Sequence, residues 1–240
     1  MHRSSTPAGH VTSPTHHVGM RLLLLRHAQT PSNVSGQLDA RTPGPGLTDL
    51  GERQAEAVPD ALAGVPIDRI AVSTLLRTQL TAAPLAGRRG LDPVITEGVE
   101  EIGAGDLSMR SDAEAWQGYR ETVTAWALGD LDRRMPGGQD GWEFMERFDA
   151  AIAGIAATGS ENPVVVSHGG AIRAWAWHRT GGGALTGTTP LSNTGLVELD
   201  GDPGSGWRLV SWPSTPVGGA HLIDAEASDP TAGTGEVPSR

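Results

Sequence analysis

Four consecutive leucines at positions 22–25 run directly into Arg26 and His27, with no turn residue between. A run this short and this apolar reads as a buried strand over residues 21–25. Similar short apolar runs recur at 69–73, 93–96 and 163–167, and later at 195–199 and 207–212. Amphipathic stretches separate them. After a polar, turn-rich loop through Gly46, Leu50, Gln54, Ala57, Val58, Ala61 and Leu62 share one helical face behind a capping Thr48. Pro59 falls inside that pattern and is expected to kink the helix or end its first half. Further helices are expected at 75–87 and 170–179, and in two blocks within 110–157 split by Met135-Pro136-Gly137-Gly138. Strand–helix alternation of this kind specifies helices on both faces of one sheet. The expected fold is a three-layer α/β/α sandwich with a mostly parallel sheet and a helical insertion.

The two ends differ from this core. Residues 1–19 are rich in Ser, Thr, Pro and His without apolar periodicity and read as a disordered arm. His2, His10, His16 and His17 lie there, but their irregular spacing and lack of carboxylate partners argue against a metal site. Residues 20–212 form the expected domain, and 213–240, rich in Gly, Pro, Ser and Asp, read as a flexible tail.

Composition narrows the partners. With 28 acidic against 18 basic residues the formal charge is −10, so no global positive field would draw in nucleic acid. There is no cysteine, which excludes disulfides and thiolate metal sites. No run of about 18 apolar residues marks a membrane span. A cytoplasmic protein follows by elimination, with homo-oligomerisation left open.

In sheets of this class ligands bind outside the carboxyl ends of the strands. Three of those ends carry Arg or His: Arg26-His27, then Ser73 with Arg77 in the following turn, and Ser167-His168-Gly169-Gly170. Two imidazoles and two guanidiniums converging on one crevice repel unless an anion neutralises them. A phosphoryl group suits, since guanidinium forks match its oxygens. Backbone N–H groups at the helix start after Gly169-Gly170 are expected to add donors to the same anion. The arginines should depress the His27 pKa, leaving a nitrogen lone pair free to attack phosphorus and form a phosphohistidine that water then hydrolyses. The expected partner is a small phosphorylated metabolite.

These segments resemble the signature of the histidine phosphatase superfamily, also called the phosphoglycerate mutase-like family. Leu25-Arg26-His27-Ala28-Gln29-Thr30 with Asn33, Ser73 through Arg77 to Thr81-Ala82, Pro136-Gly137-Gly138-Gln139, Val166-Ser167-His168-Gly169-Gly170 through Arg173, and Asn193 match its motifs in order. The resemblance spans about residues 20–200. It implies His27 as phosphoryl acceptor, with Arg26, Arg77 and His168 completing the phosphate pocket and Asn33 a lesser contact. It implies Glu101 as proton donor to the leaving oxygen, within Glu101-Ile102-Gly103-Ala104-Gly105-Asp106, although spacing leaves the adjacent Glu100 as an alternative. It implies no metal and no cofactor. The sequence departs from the pattern at Ala28, where glycine is commoner, at Gln139 in place of glutamate, and at Leu107-Ser108, where Trp-Glu often follows Gly-Asp.

Taken singly, a His or Arg at a strand end is more often structural than catalytic, and Asn33 suits a turn as well as a site. It is the ordered set that favours catalysis. Of the tryptophans, Trp116, Trp126 and Trp142 fall in the helical insertion and Trp175 and Trp177 follow His168; core packing is the expected role for most. Two other functions fit the same residues: phosphoglycerate mutase-type phosphoryl transfer, against which the short stretch from Gly105 to Met135 argues, and non-catalytic binding of a phospho-ligand.

Overall fold

A computed structural model describes residues 19–182 and 189–232. The leucine run forms β1 (Met20–Arg26), which pairs in parallel with β4 (Pro163–Ser167) and antiparallel with β5 (Leu196–Asp202). β2 (Arg69–Val72) pairs in parallel with β4 and with the two-residue β3 (Val94–Ile95), and β6 (Gly206–Ser211) runs antiparallel to β5. The sheet order is β3-β2-β4-β1-β5-β6, so the four mutually parallel strands lie together and the antiparallel pairings of β5 and β6 form one flank.

Alternation of side chains along β1 explains why all four leucines are apolar. Leu22 and Leu24 enter a core with Trp116, Trp126, Phe144, Phe148 and Trp175. Leu23 and Leu25 enter a second core with Val58, Leu62, Ala82 and Leu85. Every one of the four is fully buried, worth roughly 1.5–3 kcal/mol each as an upper figure. Helices α2 (Asp49–Ala61) and α3 (Leu76–Arg89) cover the second core, and α4 (Ala113–Ala127), α5 (Gly141–Ala156) and α6 (Gly169–Thr180) the first. The chain is therefore a mixed α/β fold with a central sheet flanked by helices. Trp116, Trp126, Trp175 and Trp177 are core residues, whereas Trp142 is exposed. Among the described residues no helix is long and apolar enough to cross a membrane.

Three features differ from the sequence expectation. The loop after His27 contains a short helix, α1 (Pro31–Ser35), started by a Thr30 cap with proline in its first turn. Pro59 does not end α2, which continues to Ala61, and the ladder resumes past it with Leu62 N donating to Val58 O at 3.0 Å. The tail expected to be flexible from 213 is docked as far as 232. Gln54 Nε2 donates to Leu222 O at 2.8 Å, Gln29 Nε2 to Asp224 at 2.9 Å, and Leu191 N to Ala232 O at 2.9 Å. Its polar composition serves to meet buried polar groups of the domain that would otherwise lose their solvation. Residues 1–18 of the expected arm and 233–240 of the tail lie outside the described residues.

Candidate active site

Strand register places the chemistry. Arg26 lies beside Ser167 in the β1–β4 ladder, and Val72 beside Val166 in the β2–β4 ladder, so the three strand ends open on one crevice. The next residues out are His27 and His168, whose rings stand 5.2 Å apart between centroids.

His27 is 2% exposed. Its Nδ1 lies 2.7 Å from Ala28 O, which can only accept, so Nδ1 carries the proton and Nε2 the lone pair. Burial, and then the charges of Arg77 and Arg26, hold its pKa well below the usual histidine value. The ring is thus neutral at ordinary pH, with the Nε2 lone pair free. Its carbonyl accepts from Asn193 Nδ2 at 3.0 Å, and Asn193 also reaches Asn33 Oδ1 at 3.4 Å.

A small cavity opens at this point, and its wall includes His27, Asn33, Arg77 and Glu101. Arg77, in the first turn of α3, gives Nη2 to Asp39 O at 3.1 Å, while its buried Nη1 has no partner among the described residues. That nitrogen is a charged donor ready for an anion. Asn33 sits in the capping box of α1, where its Oδ1 accepts from Thr30 N at 2.9 Å, so its place in the wall is set by a helix start.

Arg26 and His168 are not among the residues of this wall. Arg26 is fully buried and gives Nη1 to Leu191 O at 2.7 Å. Its Nη2 is shared between Thr231 Oγ1, at 2.8 Å, and an ion pair with Asp229. His168 Nε2 lies 2.8 Å from Ser73 Oγ. Burial, then Arg77 and His27, push its pKa well down, so it too is neutral.

Glu101 is 7% exposed and lies in the cavity wall. Its Oε1 accepts from Ile102 N at 2.9 Å and Ala171 N at 2.8 Å, and its Oε2 from Gly170 N at 3.1 Å. This corrects one expectation. The N–H groups at the start of α6 are donors to the Glu101 carboxylate, not to an incoming anion. Glu100 turns elsewhere: it accepts from Gly98 N at 2.7 Å and Thr74 Oγ1 at 3.1 Å, and it lines a separate hollow with Arg147. Between the two neighbours only Glu101 shares a cavity with His27.

Sequence reasoning missed Gln37, Asp39, Tyr119 and Thr231, all in the same wall. Tyr119, the chain's single tyrosine, carried a signal in its rarity and its place in the insertion; the others carried none.

A model of the histidine phosphatase superfamily (branch 1) matches residues 22–215. The chain is 39% identical over 222 residues to PE-PGRS family protein PE_PGRS11 of Mycobacterium tuberculosis, covering 84% of this chain but only 38% of that protein. It therefore spans well under half the length of that relative. It is 33% identical over 155 residues to adenosylcobalamin/alpha-ribazole phosphatase of Escherichia coli K12, covering 64% of this chain and 75% of that one. The structure of mycobacterial glucosyl-3-phosphoglycerate phosphatase superposes with a TM-score of 0.68 at 26% identity, over 82% of this chain and 100% of that chain.

Proposed function

The chain belongs to the histidine phosphatase superfamily, and from that premise we propose that it hydrolyses phosphate monoesters of small molecules, without a metal, through a phosphohistidine on His27. One observation carries the reading. The Nδ1 proton of His27 is committed to Ala28 O, so a buried neutral Nε2 is left on a residue that shares its cavity with Arg77, whose Nη1 has no partner among the described residues.

In the proposed reaction Nε2 forms a bond to phosphorus as the ester P–O bond breaks. Arg77, Arg26, His168 and Asn33 bear on the phosphoryl oxygens as charge redistributes. The leaving oxygen takes a proton from Glu101. Water then attacks the phosphohistidine, returns a proton to Glu101 and releases phosphate.

The test is a radiolabelled phosphate ester, quenched in alkali during turnover. Acid-labile label on His27, absent in His27→Ala and unaffected by a chelator, is the expected result. Label on His168 reverses the two histidines. Phosphoryl return to a second alcohol, in place of water, makes the enzyme a mutase. Phosphate binding with no label and no product leaves only a phospho-ligand binding protein.

A further inference from the structure

A strand end supplies His27, but most of the cavity wall comes from other elements. Beside polar residues such as Gln37 and Asp39 it includes the apolar Leu38, Ala40, Ile102 and Ala104, together with Tyr119 from α4. Tyr119 is 2% exposed, yet its hydroxyl has no hydrogen-bond partner among the described residues. The Glu101 carboxylate is its charged neighbour. Both groups occupy the space above Gly170, where an added Cβ would stand 2.4 Å from the tyrosine oxygen and 2.8 Å from Glu101 Oε1. Burial, then the nearby carboxylate, push the phenol pKa well above its usual value, so the group is an O–H donor at any working pH.

A buried donor left unmet is costly, and native proteins rarely tolerate one without a use. The use here is set by position. Tyr119 stands next to the proposed donor to the leaving oxygen, on an element that carries none of the proposed phosphoryl ligands. We propose that Tyr119 is a specificity residue whose hydroxyl donates a hydrogen bond to an oxygen on the alcohol portion of the substrate, selecting phosphate esters of polyols, sugars or hydroxy acids over those of plain alkyl chains. The apolar residues around it contact the carbon skeleton, and Tyr119 reads one oxygen beside the ester. This inference rests on the phosphatase reading for the placing of the leaving group.

The experiment compares glycerol 3-phosphate with n-propyl phosphate, which has the same chain length without the two hydroxyls. Tyr119→Phe deletes only the oxygen. The expected result is that kcat/KM falls roughly tenfold more for glycerol 3-phosphate than for propyl phosphate. The melting temperature without ligand should hold or rise, because an unpaired buried hydroxyl has gone, and that separates the effect from damage to the fold. Equal losses on both esters would place the hydroxyl on the phosphoryl group and overturn the assignment, as would no loss on either. Binding of the same two esters to His27→Ala, with and without Tyr119→Phe, reads the preference independently of turnover. If wild type hydrolyses neither ester, the phosphatase reading fails, and the binding ratio still decides the role of Tyr119.

Discussion

Asp229 is ion-paired with Arg26 across 203 residues of sequence, and Thr231 Oγ1 accepts from the same guanidinium nitrogen at 2.8 Å. The guanidinium assigned to the phosphate thus already holds a carboxylate from the C-terminal segment. A carboxylate there repels an incoming dianion by an amount of order 1–2 kcal/mol, or roughly tenfold in binding. Asp229→Asn should lower the KM for a phosphate monoester by about that factor and let inorganic phosphate inhibit at correspondingly lower concentration. Its melting temperature should drop in phosphate-free buffer, since Arg26 loses its charge partner, and recover on adding phosphate. Weaker phosphate inhibition would instead mean that Asp229 orients Arg26 for catalysis.

The two buried histidines make stability depend on pH. Both have pKa values held well below 6.5, by burial first and Arg77 next. Below pH 6.5 the unfolded chain takes up protons that the native rings refuse, so ν_U exceeds ν_N and unfolding free energy rises with pH. The contribution is complete above 6.5 and is lost progressively as pH falls toward the folded values. Urea unfolding at pH 7.5, 6.0 and 5.0 should show this loss, with a shallower slope in His27→Gln. The acid limb of kcat/KM should fall below 6.5 for the same reason; a limb at or above 6.5 would contradict a neutral buried nucleophile.

Glu101→Gln tests the proton donor through leaving-group basicity. An alkoxide needs a proton as it leaves, whereas p-nitrophenolate departs nearly unaided, and a positioned general acid is worth ~10²–10⁴ where the proton is needed. The loss on an alkyl phosphate should therefore far exceed that on p-nitrophenyl phosphate. The geometry adds a second expectation. Ile102, Gly170 and Ala171 all point N–H groups at this side chain, so the glutamine NH₂ must face a donor and the melting temperature should fall. Equal losses on both esters would leave Glu101 as a cap on α6 and nothing more.

Gly105 joins the segment of the acid to the Met135–Gly138 breaker. It adopts φ +53°, and an added Cβ would stand 2.1 Å from Pro136 O, while Asp106 N donates to that same carbonyl at 2.9 Å. Backbone cannot step aside as a flexible side chain can. Gly105→Ala should destabilise by about 2 kcal/mol or more, read as a lower urea midpoint. Gly64→Ala, whose Cβ would meet nothing, serves as the control.

The layered fold and the strand ends were legible in the sequence because they depend on local pattern. A strand apolar at every position must be buried on both faces, and Leu22 to Leu25 divide evenly between the two cores. The ordered Arg and His motifs likewise marked where the crevice opens. Other features rest on pairings between distant residues that no local pattern encodes. Asp229 sits in a polar segment whose composition matches that of a flexible tail, and its role exists only because Arg26 is buried and needs an anion. The hydrogen bonds to Glu101 depend on where α6 starts relative to a loop 69 residues earlier, which diverted the helix N–H groups from the expected anion to a side chain. Tyr119 lies at the site only through the packing of α4 over the crevice. Local periodicity determines which residues face inward, while hydrogen-bond satisfaction in the folded core decides which polar group meets which.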